Sequence, residues 1–417
     1  MKRVLLLLPT TSYRNADFLA AARALHVDII AAADYCEVLA PLWGMNPVLS
    51  VPFDQPEKAR DRLLNVIGEP PPDAVMAVDD AGLELAGLLN EHWRLPGNPV
   101  AAVRSLRDKL EFRLLQTHTG LNCPRFYHLP NDAQPSSFDV GYPLVVKPRR
   151  LSASRGVIRC DDSVQLSHAV ARSRGIQQRA DRAAAGLGLM IESYIPGTEH
   201  ALEGLLQDGR LRTLALFDKP DPLDGPYFEE TIYVTPSRLP DETQEQLRAA
   251  AQRVCLTAGL RRGPVHAEAR VNATGVWLIE VAARSIGGLC SRTLRHTLGV
   301  GLEQLVLAQA LGEILHIEPA TGAAAVMMIP IPITGLYRGV RGLEHALSLP
   351  GIEGIIITAE PGQWLAPPPE GRSYLGFIFA RADSAASAES AARVAHRQLI
   401  FDIQPAHSVE QRSPALS

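Results

Sequence analysis

Two neighbouring stretches of the sequence place carboxylates where they can hold a metal. His266-Ala-Glu-Ala-Arg-Val271 alternates as a β-strand does, and Val276-Trp-Leu-Ile-Glu-Val281 is a second strand pattern. Between them, Asn272-Ala-Thr-Gly275 reads as a hairpin turn. Pairing across that turn brings Glu268 and Glu280 onto neighbouring strands. Two carboxylates so placed suit Mg2+, a hard cation that takes oxygen ligands and bridges phosphates. Arg284, four residues beyond Glu280, adds a charge that can neutralise a phosphoryl group in transfer. Paired acids on a hairpin are common in isolation. An acid closing the apolar run Trp277-Leu-Ile, with an arginine behind it, is less so.

A second constellation surrounds Lys147. The apolar stretch Tyr142-Pro-Leu-Val-Val-Lys-Pro148 ends on that lysine, and Ser152-Ala-Ser-Arg-Gly-Val157 follows. Small residues there (Ser152, Ser154, Gly156, and Val157 at the loop's end) let backbone N–H groups approach phosphate oxygens, while the ammonium supplies a point charge. Taken alone, the segment reads equally as an ordinary hairpin with an exposed lysine. A P-loop is excluded, because G-x-x-x-x-G-K-[ST] occurs nowhere. Farther on, Glu192 ends an apolar strand, Ser193-Tyr194-Ile195 lead into the turn Pro196-Gly197, and Glu199 begins the next strand. An extended linker of this kind can read an adenine edge with its backbone, its two acids taking the exocyclic amine and the ribose hydroxyls. The plainer alternative is a solvated turn carrying two exposed glutamates.

Composition sets the outer limits. The 417 residues call for two or three domains, and 46% hydrophobic against 21% charged residues describes a folded chain. A net charge of -4 gives no footprint for nucleic acid or an anionic membrane. The run Val4–Leu8 stops at Pro9, too short for a signal peptide, and no stretch approaches a membrane span. Five scattered cysteines without a C-x-x-C pair fit reduced thiols and a cytoplasmic protein. Of 41 Lys plus Arg, only Lys2, Lys58, Lys109, Lys147 and Lys219 are lysine. Against such an arginine bias, a retained lysine points to a need for a compact ammonium.

The elements that must position these groups follow from periodicity. Residues 1–103 alternate apolar strands (Val4–Leu8, Val27–Ala32, Ala74–Val78) with helical patterns, which implies a parallel sheet covered on both faces. No G-x-G-x-x-G follows the first strand, so dinucleotide binding is not supported there. Arg104–Thr119 reads as one amphipathic helix. Residues 104–318 are expected to form a central two-lobed domain (104–190 and 191–318), and 319–403 a small α+β module. Residues 404–417 are polar and expected to be a disordered tail.

In order along the chain, these motifs resemble the ATP-grasp superfamily, in its carboxylate–amine ligase branch related to bacterial L-amino-acid (dipeptide) ligases. Arg107-Asp-Lys109 with Arg113 resembles the helix carrying the family's first phosphate lysine, Lys147 the second, and Ser152–Val157 the phosphate lid. Glu192–Glu199 resembles the adenine linker and ribose acid. Phe217-Asp-Lys219-Pro220 with Glu230 resembles the ligase loop, and Glu268, Glu280 and Arg284 the metal acids and phosphate arginine. Many members carry Asn two residues after the second acid. This chain has Ala282, which bears on how many protein ligands each ion receives. The resemblance implies an ATP-grasp fold, ATP with two Mg2+ ions (or Mn2+), small carboxylate and amine substrates, and an acyl phosphate formed with release of ADP. It assigns Arg284 and Lys219 to catalysis. Glu230, His266, Gly287, Gly288 and Arg292 are placed near the substrates, and a homodimer is common in the family. A carboxylase or nucleotide-pathway ligase with the same cleft, or a non-catalytic ATP-binding module, are the alternatives.

Overall fold

The computed structural model describes residues 1–34, 48–135, 141–181, 184–318 and 321–405. It begins with β1 (Arg3–Leu7), α1 (Asn15–Ala24), β2 (Asp28–Ala33), β3 (Val48–Ser50), α2 (Pro56–Ile67), β4 (Ala74–Ala77) and α3 (Leu83–Trp93). The four strands form an all-parallel sheet in the order β3-β2-β1-β4. The unbroken apolar run in β1 has a physical reason. Val4 and Leu6 face the core that contains α1, while Leu5 and Leu7 face the one built with α2 and α3. A strand covered on both sides loses the alternation of a half-exposed one.

Next come α4 (Val100–Arg107) and α5 (Lys109–Thr117). Here the structure corrects the single helix expected over 104–119. Asp108 is extended at φ -93 and ψ 115, and its side chain caps the second helix by accepting from the Leu110 N–H. The same carboxylate takes a two-point fork from Arg149 at 2.8 and 2.7 Å. A paired N-cap aspartate favours a break over helix continuity. The boundary expected at residue 104 therefore falls inside α4.

A four-stranded antiparallel sheet follows, ordered β5-β8-β6-β7, from β5 (Phe126–Leu129), β6 (Leu144–Pro148), β7 (Ile158–Cys160) and β8 (Leu189–Ser193). The helix α6 (Ser163–Ala180), between β7 and β8 in sequence, packs on it through Leu166, Ala169 and Val170. Asp162 caps that helix by accepting from Val164 and Gln165 N–H, the reason it starts there.

The rest of the chain is organised on one eight-stranded sheet. Its first part comprises β9 (Thr198–Gln207), β10 (Arg210–Lys219), β11 (Ile232–Thr235), α7 (Asp241–Ala258), β12 (Gly263–Asn272), β13 (Gly275–Ala282), α8 (Leu294–Leu298) and α9 (Leu302–Ala310). The second comprises β14 (Ala323–Ile329), β15 (Gly335–Arg341), α10 (Leu343–Leu347), β16 (Ile352–Ile357), β17 (Trp364–Leu365), β18 (Gly376–Ala382), α11 (Ala385–Gln398) and β19 (Ile400–Pro405). The strand order is β13-β12-β9-β10-β11-β14-β18-β16, antiparallel throughout. The sheet thus runs without interruption through β11 and β14 into the C-terminal part, whose own small sheet is β17-β15-β19. Residues 404 and 405, expected in a tail, complete β19 opposite Gly335 and Leu336; the rest of that expected tail, 406–417, lies outside the described residues. Among the described residues no helix is long and apolar enough to cross a membrane.

Candidate active site

The hairpin forms as the sequence suggests, with Glu268 directly opposite Glu280. A β-bulge follows immediately, because Ala269 pairs with Leu278 and Ile279 has no partner. A bulge bends its strand and re-aims the neighbouring side chains, here at the acid pair. The bulge is held by Arg113, whose guanidinium donates to the Leu278 carbonyl at 3.0 Å and to that of Ile279 at 3.2 Å. Glu280 makes no hydrogen bond or ion pair among the described residues, so its carboxylate is available. It lines both the narrow cleft that holds Lys109 and Lys147 and the wide one that holds Arg284, Gly287 and Gly288. These two acids fit a hard divalent cation.

Glu268 is more crowded. Its carboxylate lies 3.1 Å from the Lys219 ammonium and 3.3 Å from His266 Nε2. Burial pushes this carboxyl up, but Lys219 and His266 hold it well below the ordinary carboxylate range. Lys219 is itself buried, 2.8 Å from Glu199 and 2.6 Å from Glu230. Its own burial opposes the charge, and the three carboxylates keep it protonated far above its usual range. Oxygens of Glu199, Glu230 and Glu268 lie within 4.8 Å of one another, close enough to suggest a cation site. The ammonium of Lys219 already lies among those three oxygens, and Glu268 stands opposite Glu280 across the hairpin. The acidity of Glu230 is weakened, its pKa raised to about 7 by burial and by Glu268 against the pull of Lys219. His266 is raised to about 9: burial works against its charge, but bonds to Glu203 and Glu268 outweigh that.

The narrow cleft brings together most of the residues expected to bind the nucleotide. Lys109, Lys147, Ser152, Ser154, Val157, Glu192, Tyr194, Ile195 and Glu199 all line it, with Glu268 and Glu280 at one end. Ser193 lies in the linker, its hydroxyl accepting from the Arg125 N–H at 3.2 Å. In the lid loop, Ala153 and Ser154 take positive φ (54 and 53), and Gly156 is at φ 69. A Cβ on Gly156 would fall 2.7 Å from Pro148 Cγ, so the loop can fold back over β6 only with glycine there. Lys109 donates to the Leu151 carbonyl at 2.6 Å and so tethers the root of the lid to α5.

Glu192 and Glu199 are engaged differently from the expectation. Glu192, expected to take an exocyclic amine, is buried and ion-paired with Lys147 and with Arg113, the latter at 2.8 Å. Burial pushes this carboxyl up, yet the two cations bring it down to about 2. Glu199, expected to meet ribose hydroxyls, accepts from Lys219 and, at 3.1 Å, from Arg270 Nε. Arg270 also takes the Ile195 carbonyl at 2.8 Å and the Tyr194 hydroxyl at 2.9 Å, which fixes the linker's shape. A buried acid with too few cations would be costly, and these pairs satisfy it. The depressed acidity of Glu192 has a readable sign. A carboxyl lowered from 4.5 to about 2 on folding contributes stability above pH 4.5 and loses it as pH falls toward 2. The thermal midpoint should therefore decline through that window, and Glu192→Gln should flatten the decline while lowering stability at neutral pH.

The structure also corrects Arg292. Expected near a substrate carboxylate, its guanidinium instead makes a two-point pair with Asp17 of α1, at 2.9 and 2.7 Å. Both ends of that pair are partly exposed, 37% and 18%. Arg292→Ala should cost less than about 1 kcal/mol in thermal unfolding and leave substrate KM values unchanged. A tenfold rise in KM would restore the arginine to the site.

Several groups at the site were not singled out by sequence reasoning. Asp80, beyond the end of β4, lies 2.9 Å from Arg284 Nε, and Asp79 lines the same cleft. Burial works against the Arg284 charge, but these acids and Glu280 raise its pKa above the ordinary arginine range. Pro9, Asp34, Pro52 and Asp79 all follow parallel strands and line the wide cleft, the usual ligand side of such a sheet. Glu203 is fully buried and joins His266, at 3.3 Å, to the Ile286 N–H, at 3.0 Å. The only sequence signal for Glu203 or Arg270 is a charged residue at an inward position of a strand.

Comparison with known proteins agrees with this geometry. Residues 140–293 match the ATP-grasp domain model, and residues 327–404 match L-amino acid ligase C-terminal domain 2. Carnosine synthase 1 of Gallus gallus is 30% identical over 298 residues, 65% of this chain and 31% of that protein. Alanine–anticapsin ligase of Bacillus subtilis is 24% identical over 273 residues, 61% of this chain and 57% of that protein. The chain thus spans under a third of that synthase and somewhat over half of that ligase. The crystal structure of the L-amino acid ligase from Bacillus licheniformis superposes with a TM-score of 0.84 at 26% identity, covering 97% of this chain and 99% of that one. With the Glu268–Glu280 hairpin and the two cleft lysines in place, the chain combines an ATP-grasp domain with an L-amino acid ligase C-terminal domain.

Proposed function

We propose that this chain is an ATP-dependent ligase that joins the carboxylate of one amino-acid-like substrate to the amine of another. The observation that carries this reading is the position of Glu280. Its carboxylate is without a hydrogen bond or ion pair among the described residues, and it lines both the narrow cleft of Lys109 and Lys147 and the wide cleft of Arg284, Gly287 and Gly288. A phosphoryl group delivered there meets a second chamber of about 1010 Å³, room for two small substrates. The names of the relatives support the class, since alanine–anticapsin ligase and D-alanine–D-alanine ligase each name two joined parts.

In the proposed reaction, a carboxylate oxygen of the first substrate attacks the γ-phosphorus of ATP, and ADP leaves. The amine of the second substrate then attacks the acyl carbon, loses a proton and displaces inorganic phosphate. Lys109 and Lys147 offset phosphate charge from the nucleotide side, and Arg284, aimed by Asp80, does so from the substrate side. Glu268 and Glu280 would hold Mg2+, which as a Lewis acid neutralises charge on the transferring group. The lid, Ser152–Val157, excludes water from the acyl phosphate. Lys219 keeps Glu199, Glu230 and Glu268 in register. We place the reaction in the cytoplasm, where ATP is available.

The test is incubation of the full chain with Mg-ATP and pooled amino acids, read by mass spectrometry. ADP with a condensation product, both dependent on added amino acids, is the expected result. AMP as product contradicts the acyl-phosphate route, and ADP formed with bicarbonate alone points to a carboxylase.

A further inference from the structure

The segment that follows the metal hairpin is clamped from two parts of the chain. Arg14, the residue before α1, is buried and reaches Ser285, 271 positions away in sequence. Its Nη1 donates to the Ser285 carbonyl at 3.1 Å and also to the Ser285 hydroxyl. Arg284 Nη1 donates to that same carbonyl at 3.1 Å. One residue later, the Ile286 N–H donates to Glu203 of β9 at 3.0 Å. Arg284 is therefore held at two points, since Asp80 takes its Nε and the Ser285 carbonyl its Nη1, and it still lines the wide cleft.

The fold itself gives Arg14 little to do. Its side chain does not cap α1, and it makes no ion pair among the described residues. Its Nε and Nη2 are buried without a hydrogen-bond partner among those residues. Burial lowers its pKa, the charge of Asp79 works against that, and Arg284 lowers it further. A buried cation with two idle donors costs stability, and an apolar side chain beside Phe18 would avoid that cost. The contacts that Arg14 does make are both to Ser285. Two guanidiniums on one carbonyl repel each other, and an anion brought to Arg284 relieves the repulsion. The pair is thus arranged for a negative charge in the cleft.

We propose that Arg14 is a positioning residue for phosphoryl transfer, which acts through Ser285 to fix Arg284 and so brings the parallel-sheet part of the chain into the phosphate site. This rests on the ligase reading above and adds to it a group that touches neither nucleotide nor substrate.

The test compares Arg14→Gln, Ser285→Ala and Arg284→Gln in the full chain. One readout is ADP formation from Mg-ATP and pooled amino acids. The other is calorimetric binding of Mg-ADP with and without aluminium fluoride, which mimics the phosphoryl group in transfer. Arg14→Gln should lower kcat about tenfold or more and weaken the fluoride-dependent binding by a similar factor, with Mg-ADP affinity and the KM for ATP unchanged. Ser285→Ala keeps the arginine and removes one acceptor, so the same effects should be about fivefold. It carries the test should Arg14→Gln fail to fold. In an Arg284→Gln background, Arg14→Gln should change either readout by less than about twofold, because both act through one guanidinium. A purely structural Arg14 gives a different pattern: Mg-ADP affinity falls together with the fluoride-dependent binding, or the two substitutions add independently. Either result, or unchanged kcat in Arg14→Gln and Ser285→Ala, overturns the proposal. Failure of the ligase reading looks different: the wild type forms no ADP from pooled amino acids, while fluoride-dependent binding still follows Arg14.

Discussion

Glu280→Ala should reduce ADP formation by at least about 10²–10³-fold while leaving the fold in place. Charge stabilisation of a phosphoryl group in transfer is worth several kcal/mol, and each 1.4 kcal/mol lost is about a tenfold loss in rate. Glu280 is the acid free to supply that stabilisation, since Glu268 already answers to Lys219 and His266. The stability side of the prediction is just as definite. Glu280 is half-buried and makes no hydrogen bond or ion pair among the described residues, and Arg284 keeps its pair with Asp80. Its removal should change unfolding free energy by no more than about 0.5 kcal/mol. Steady-state ADP release and thermal unfolding, measured on one preparation, check both halves. Near-normal turnover would sink the metal assignment.

Lys219→Met has the opposite profile, because its largest effect is on the fold. The ammonium is the shared partner of Glu199, Glu230 and Glu268, and removing it strands one buried and two half-buried carboxylates beside one another. Breaking a buried ion pair by deleting one partner costs about 3–5 kcal/mol, and here one cation serves three acids. The pH dependence follows from Glu230, already raised to about 7 with the lysine present. A carboxyl raised on folding costs stability as pH climbs from its unfolded range through its folded pKa, and regains it as pH falls. The variant should therefore recover part of its stability between about pH 7 and pH 5, where Glu230 protonates. Lys219→Met combined with Glu230→Gln should recover part of it at neutral pH, because the two residues share one network. Denaturant unfolding of the wild type and both variants at two pH values measures this. Equal stability of Lys219→Met and wild type would show that the cluster is solvated and not a buried network.

The fold and the site were legible in the sequence to different depths. Local pattern sufficed for the hairpin, since alternation and a turn tetrapeptide place Glu268 opposite Glu280 without any long-range information. It also sufficed for the parallel sheet, whose apolar runs reflect burial on two faces. Pattern failed at Asp108, where a cap and a distant Arg149 break a helix that periodicity continues. It failed again for Arg292, because the type and spacing of an arginine do not say which acid it will meet, and Asp17 lies far away in sequence. Glu192 and Glu199 lie on the strands that flank the linker, yet their partners Arg113 and Arg270 come from other elements and are fixed only by tertiary packing. The same holds for Asp80 behind Arg284, supplied by the first sheet. Motif position is a local property; charge pairing is set by the assembled fold.

The central claim is transfer of phosphate to a substrate carboxylate, and oxygen labelling tests it most directly. The full chain would be given Mg-ATP and amino acids carrying ¹⁸O in their carboxylates, and the phosphate released would be analysed by mass spectrometry. Attack of that carboxylate on the γ-phosphorus, followed by displacement by an amine, leaves one carboxylate oxygen in inorganic phosphate. The predicted result is ¹⁸O-labelled phosphate formed in step with ADP and condensation product, and lost in Glu280→Ala. Label appearing in AMP, or product formed with unlabelled phosphate, would contradict the account.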